Sequence, residues 1–248
     1  MRQEIKAFVF DAYGTLYDIR SVEQTVDAAF PGYGGLITAI WRMKQLEYTW
    51  FTSMMGRYED FWVLTKRALD YTLRSLHLDA TAHRVERIAA AYFDLQPYDD
   101  ARHCLDGLIS HKRAILSNGS PAMLAELVKR SGFDQCFDRV LSVDAKQVFK
   151  PAPDAYALVG ETLGVTPNEV VFVSSNGFDI CGAKSFGFTV IRVARSGDRD
   201  NDMRQHVDER ALFDLLRGQA ETLSYTADLT VRSLAEIPRI FESRGYGA

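Results

Sequence analysis

Five short apolar runs punctuate the chain: IKAFVF (5–10), RAILSN (113–118), RVLSV (139–143), VVFVSS (170–175) and TVIRVA (189–194). Most are continuous rather than alternating, the pattern of strands in a parallel sheet covered on both faces. Helical segments separate the later ones. PAMLAELVKRSG has Gly132 as a C-terminal stop, PDAYALVGETLG opens on Pro153 and closes on Gly164, and DICGAKSFG is shorter. Strands alternating with helices at this spacing predict a doubly wound, Rossmann-like α/β core.

The gap between the first two runs breaks the rhythm. From about residue 20 to 96 no strand-like run occurs, and GGLITAIWRMKQLEYTWFTSMMG and EDFWVLTKRALDYTLRSLHL carry apolar residues at three- and four-residue spacings. A stretch of this length is too long for a connecting loop. It reads as an inserted α-helical cap over 17–96, with the core built from 1–16 and 97–248 and Gln96-Pro97-Tyr98 as the return point. The tail begins with a polar loop, SGDRDND, and is expected to end in a further strand and helix.

Composition narrows the function classes. A net charge of −4 offers nothing to a nucleic-acid backbone. The apolar runs are strand-sized, far below the ~20 residues of a membrane span. The N-terminus enters a strand at once, without the hydrophobic stretch of a signal peptide. Three widely spaced cysteines, Cys104, Cys136 and Cys181, form no C-x-x-C pair, and the five histidines are scattered. These features predict reduced thiols, a cytoplasmic protein and no zinc site.

Ligands of a parallel sheet bind at the carboxyl ends of its strands, so residues just past each run come first for chemistry. Asp11 follows the first strand in VFDAYGTLYD, where it can act as nucleophile, base or metal ligand. Gly14 permits a close turn, and Thr15 can bond back to the Asp11 carboxylate. Ser117-Asn118-Gly119 ends the second strand ahead of a helix, a position suited to anion binding or to plain helix capping. Lys150, in FKPAPD, would favour an ionised Asp11 if it reaches the sheet edge, with Tyr156 available to orient it. SSNGFD places Ser174, Ser175, Asn176 and Asp179 in one loop after a strand.

These segments occur in the order and places found in the haloacid dehalogenase superfamily. Within it the chain resembles the L-2-haloacid dehalogenases over its whole length, including WRMKQLEYTW in the cap and LSVDAKQVFKP before the lysine. Two departures from the superfamily's magnesium-dependent phosphatases carry weight. Those enzymes place a second aspartate two residues after the nucleophile to protonate the leaving alkoxide, help worth roughly 10²–10⁴-fold. Here that position is Tyr13. They also open the fourth motif with an acidic residue that helps hold magnesium, whereas this chain has Ser174 and Ser175. A departing halide is a very weak base and needs no proton.

The resemblance implies a metal-free, cofactor-free hydrolase for small (S)-2-haloacids. Asp11 would displace halide from C2 with inversion, and water would then cleave the ester to an (R)-2-hydroxy acid. Lys150 would keep Asp11 charged, while Asp179, Ser174 and Asn176 position Lys150 and the water. Ser117 and the amides after Asp11 would hold the substrate carboxylate. Arg42, with Asn118 and Phe178, would receive the halide, and Tyr13, Met43, Leu46, Phe61 and Phe178 would wall the alkyl group. Family members tend to be homodimers through the cap helices. Three alternatives stay open: a magnesium-dependent phosphatase, an azetidine-2-carboxylate hydrolase using the same aspartate, and a non-catalytic binding protein.

Overall fold

The computed structural model describes residues 4–195 and 223–243. Six parallel strands form the sheet in the order β5-β4-β1-β6-β7-β8. They span Ala7–Phe10 (β1), Lys112–Ser117 (β4), Arg139–Ser142 (β5), Val170–Ser174 (β6), Thr189–Val193 (β7) and Leu229–Val231 (β8). All five apolar runs become strands, and β1 and β6 are buried along their whole length, as their unbroken apolar character requires. The polar loop SGDRDND lies outside the described residues, but the tail does add β8 and a closing helix, Glu236–Ser243.

The chain begins in the middle of the sheet. From β1 it builds outward to β4 and β5 on one side, then returns to β6, β7 and β8 on the other. Strand order therefore reverses at β1, and a crevice opens beyond the carboxyl ends of β1, β4 and β6. Register fixes what lines it. Phe10 pairs with Ile115 on one side and Val173 on the other, so Asp11 and Ser174 arrive at one level, with Ser117 one residue further along β4. The helices α6 (Pro121–Arg130), α7 (Pro153–Leu163) and α8 (Gly177–Phe186) follow β4, β5 and β6. Gly164 and Gly187 end the latter two in left-handed conformation, which glycine adopts without strain.

Between β1 and β4 the chain forms a helical cap with α1 (Glu23–Ala29), α2 (Gly34–Met54), α3 (Phe61–Ser75) and α4 (Ala82–Ala89), before α5 (Asp99–Gly107) leads back to the sheet. At its neck, Tyr17–Asp18 (β2) pairs antiparallel with Gln96–Pro97 (β3). This ribbon departs from the expectation of helix throughout, since two residues are too few to show a period. Its second strand is Gln96–Pro97, within the Gln96-Pro97-Tyr98 segment named above. The cap docks on the core through Ser53, whose Oγ accepts from the Phe149 amide at 3.0 Å. Tyr58 stacks on Phe149 and donates to Asp144 at 2.8 Å.

Candidate active site

Asp11 leaves β1 with its amide bonded to the Val173 carbonyl at 3.0 Å, which continues the parallel ladder one residue past the strand. The chain then turns sharply, with Gly14 at φ 83° and the Leu16 and Tyr17 amides both reaching the Ala12 carbonyl. The turn carries Thr15 back over the carboxylate. Thr15 Oγ1 donates to Asp11 Oδ2 at 3.2 Å, and Asn176 Nδ2 donates to the same oxygen at 2.6 Å. Lys150 Nζ takes the other oxygen, Oδ1, at 2.9 Å. Both carboxylate oxygens are thus held by donors.

Lys150 is 1% exposed, and its ammonium spends all three protons. They go to Asp11, to the Leu116 carbonyl at 2.9 Å and to Asp179 Oδ2 at 2.7 Å. Burial opposes the charge, but Asp11 and Asp179 outweigh it and hold the lysine above its usual range. Asp179 also accepts from Tyr156 Oη at 2.8 Å and Ser174 Oγ at 3.2 Å. Even with these donors, its complete burial pushes the carboxyl up to about 6. Tyr156, expected to orient Lys150, instead bonds Asp179 and acts on the lysine through it. Burial, followed by the Asp179 charge, keeps the Tyr156 phenol far above its usual range and therefore protonated.

At the end of β4, Ser117 Oγ accepts from the Gly119 amide at 3.1 Å, and Asn118 Oδ1 accepts from the Lys150 amide at 3.0 Å. Asn118 thereby fixes the backbone of the loop that delivers the lysine. Neither residue caps the helix: Ser120 does, accepting from Met123. Ser175, named in the SSNGFD loop but given no role there, locks the nucleophile turn. Its amide donates to Thr15 Oγ1 at 2.9 Å and its hydroxyl to the Gly14 carbonyl at 2.6 Å. Its place inside SSNGFD was the available signal.

The cap supplies the opposite wall. Tyr13 and Phe61 are buried with rings 5.6 Å apart, and Tyr13 also packs against Tyr92. Burial holds the Tyr13 phenol above its usual range, with Arg42 pulling the other way. Leu46 and Phe178 are half-buried, the latter edge-on to Trp50 of α2 at 5.5 Å. Met43 is the exception. It is 48% exposed, because the buried stripe of α2 runs through Trp41, Arg42, Gln45 and Thr49 instead.

Among the described residues no three His, Cys, Asp or Glu side chains gather as metal ligands. The donor set is also wrong for a magnesium ion. The space between Asp11 and Asp179 already holds an ammonium, and Tyr13 brings no carboxylate.

Comparison with known proteins gives the family. The family model of haloacid dehalogenase-like hydrolases matches residues 5–187. An (S)-2-haloacid dehalogenase of Xanthobacter autotrophicus is 52% identical over 95% of this chain and 94% of its own length. Another, from Pseudomonas sp. strain YL, is 41% identical over 88% of this chain and 98% of its own. The solved L-2-haloacid dehalogenase of Xanthobacter autotrophicus superposes with a TM-score of 0.93 over 97% of this chain and 99% of that one, at 51% identity. A second structure of that enzyme carries covalently bound chloropropionic acid. Identity and coverage at this level, on a sheet edge with this arrangement, show that the chain belongs to the L-2-haloacid dehalogenases of the haloacid dehalogenase-like hydrolases.

Proposed function

We propose that this protein hydrolyses (S)-2-haloalkanoic acids to (R)-2-hydroxyalkanoic acids and halide through an aspartyl ester, without a metal. The observation that carries this reading is the state of Asp11. Its carboxylate has donors on both oxygens, a buried ammonium beside it and no second carboxylate in its turn. Such a group is preorganised to attack carbon, and it lacks the acid that a phosphate ester would require.

In the first step an Asp11 oxygen forms a bond to C2 from the side opposite the halogen. The carbon–halogen bond breaks, and the halide leaves with the electron pair, inverting the carbon. Arg42, Asn118 and Phe178 receive the ion, and the donor of greatest value is a fixed cation where charge develops. Ser117 and the amides after Asp11 hold the substrate carboxylate. In the second step water adds to the Asp11 carbonyl carbon. The oxygen not bonded to C2 becomes the oxyanion and keeps its own donors, Lys150 on Oδ1 or Thr15 and Asn176 on Oδ2. Collapse releases the hydroxy acid and leaves one water oxygen in Asp11. Ser174 and Tyr156 act through Asp179, which holds Lys150 and serves the water. The cap is assigned to 17–96 and the core to 1–16 and 97–248, the Tyr17–Asp18/Gln96–Pro97 ribbon supporting that division.

The protein is read as a cytoplasmic homodimer. Its three cysteines are buried and in no disulfide, and no helix among the described residues is long and apolar enough to cross a membrane. Phe51 and Met54 of α2, Met55 just past its end and Tyr71 of α3 are exposed. They lie at or beside a groove of about 640 Å³ that also presents Arg67, Asp70 and Arg74. Apolar surface with both signs of charge suits a second copy of the same face.

Incubation with each enantiomer of 2-chloropropionate and a chelator, following chloride, tests the reading. Release from the (S) enantiomer alone, unaffected by the chelator, is expected. Chelator sensitivity, or magnesium-dependent turnover of a phosphate ester, overturns it. A single turnover in ¹⁸O-water is expected to label Asp11 rather than the product.

A further inference from the structure

Arg42 is buried at 4% exposure, yet among the described residues no carboxylate pairs with it. Its Nε has no hydrogen-bond partner, and NH1 donates to a neutral group, Gln45 Oε1, at 2.5 Å. A buried cation without a counter-ion is costly unless an anion completes it. The cost is tolerable where the anion is the product of the reaction. The guanidinium must still be held at a fixed place, since a donor stabilises a transition state only if it is already aligned when charge appears.

We infer that Gln45 is a positioning residue for the halide-receiving guanidinium, and that Thr65 sets the orientation of Gln45. The inference rests on the assignment of Arg42 given above. Gln45 stands one helical turn beyond Arg42 on the buried face of α2, three residues on, where side chains meet. Its Nε2 donates to Thr65 Oγ1 at 2.7 Å. The Thr65 hydroxyl spends its only proton on the Phe61 carbonyl at 2.7 Å, so toward Gln45 it can only accept. That forces the amide nitrogen of Gln45 toward Thr65 and its oxygen toward Arg42. A flipped amide would set N–H against N–H. The far end of the relay is itself anchored, because Trp41 Nε1 donates to the Thr65 carbonyl at 2.8 Å.

Glutamine is chemically distinct from glutamate here. It accepts from the guanidinium and leaves its charge uncompensated, whereas a carboxylate would neutralise the cation and compete with the halide. The relay thus accounts for a buried neutral partner where an ion pair would be the commoner way to satisfy a buried arginine.

The test compares Gln45→Glu, Thr65→Val and Arg42→Lys with the parent enzyme. Single-turnover halide release is followed from (S)-2-chloro- and (S)-2-bromopropionate, together with inhibition by added chloride and thermal unfolding. Gln45→Glu is expected to slow chloride release by about 10²-fold, in the range for loss of an aligned donor. Its effect on bromide should be smaller, and chloride inhibition should weaken. Thr65→Val, nearly isosteric, should shift the same quantities by about tenfold, with KM little changed. If the Gln45 and Thr65 variants fold but leave the chloride-to-bromide ratio and chloride inhibition unchanged, while Arg42→Lys alters both, the positioning role is wrong. If Arg42→Lys alters neither, the assignment of Arg42 itself fails and the inference falls with it.

Discussion

At the scale of single residues, the controlling fact is one ammonium shared by two carboxylates. Lys150, Asp11 and Asp179 together carry a net negative charge inside the protein, offset by the hydroxyl and amide donors of Tyr156, Ser174, Thr15 and Asn176. Breaking a buried pair by removing one partner typically costs 3–5 kcal/mol, and Lys150 is the partner whose loss would strand both carboxylates. The carboxyl of Asp179 is raised from its ordinary 3.8 to about 6, so the native state binds its proton more tightly than the unfolded chain does. The stability that this proton contributes is complete below 3.8 and is lost as pH rises through about 6. Unfolding measured against pH for the parent and for Asp179→Asn should show their stability difference changing by roughly 3 kcal/mol across that window, to the parent's cost as pH rises. A pH-independent difference would assign the raised value to another group.

At the scale of elements, the site depends on how closely α7 approaches α8. Gly182 makes that approach possible. A Cβ there would stand 2.6 Å from Pro151 Cβ and press against the hydroxyl end of Tyr156. Gly182→Ala should therefore destabilise the protein by about 1–3 kcal/mol, as overpacking does. It should also lower kcat by loosening the Tyr156–Asp179 bond while leaving KM near its parent value. An alanine variant with parental Tm and kcat would show that the helices yield without cost. The same elements show what a sequence reveals. Continuous apolar runs mark buried parallel strands directly, because burial on both faces leaves no alternation to interpret, and all five were legible. Helical spacing marks the apolar stripe of α2 but not which residues at its edge meet the core. The wall role of Met43 came from the family resemblance and not from this spacing, and Gln45 escaped notice although only three positions separate it from Arg42. The two-residue ribbon at the cap's neck was invisible for want of any period. The partner of Tyr156 was hidden because that contact spans two helices.

At the scale of the whole molecule, the exposed methionines and aromatics of the cap set the oligomeric prediction. Met54 is among the most exposed apolar side chains of the described residues. Met54→Glu should convert the proposed dimer to a monomer in sedimentation velocity, because a charge placed in an apolar interface is poorly tolerated. A parent enzyme that sediments as a monomer would remove the dimer from consideration. The distribution of the site along the chain also has a consequence for how the enzyme comes into being. Lys150 lies 139 residues after Asp11 and Asn176 lies 165 after it. Contacts so distant in sequence are slow to close, and a growing chain extends at ~5–20 residues per second. On the ribosome the aspartate therefore waits several seconds beside an unfinished sheet, chemically idle. The enzyme acquires its activity only once Asn176 and Asp179 have followed, not by degrees.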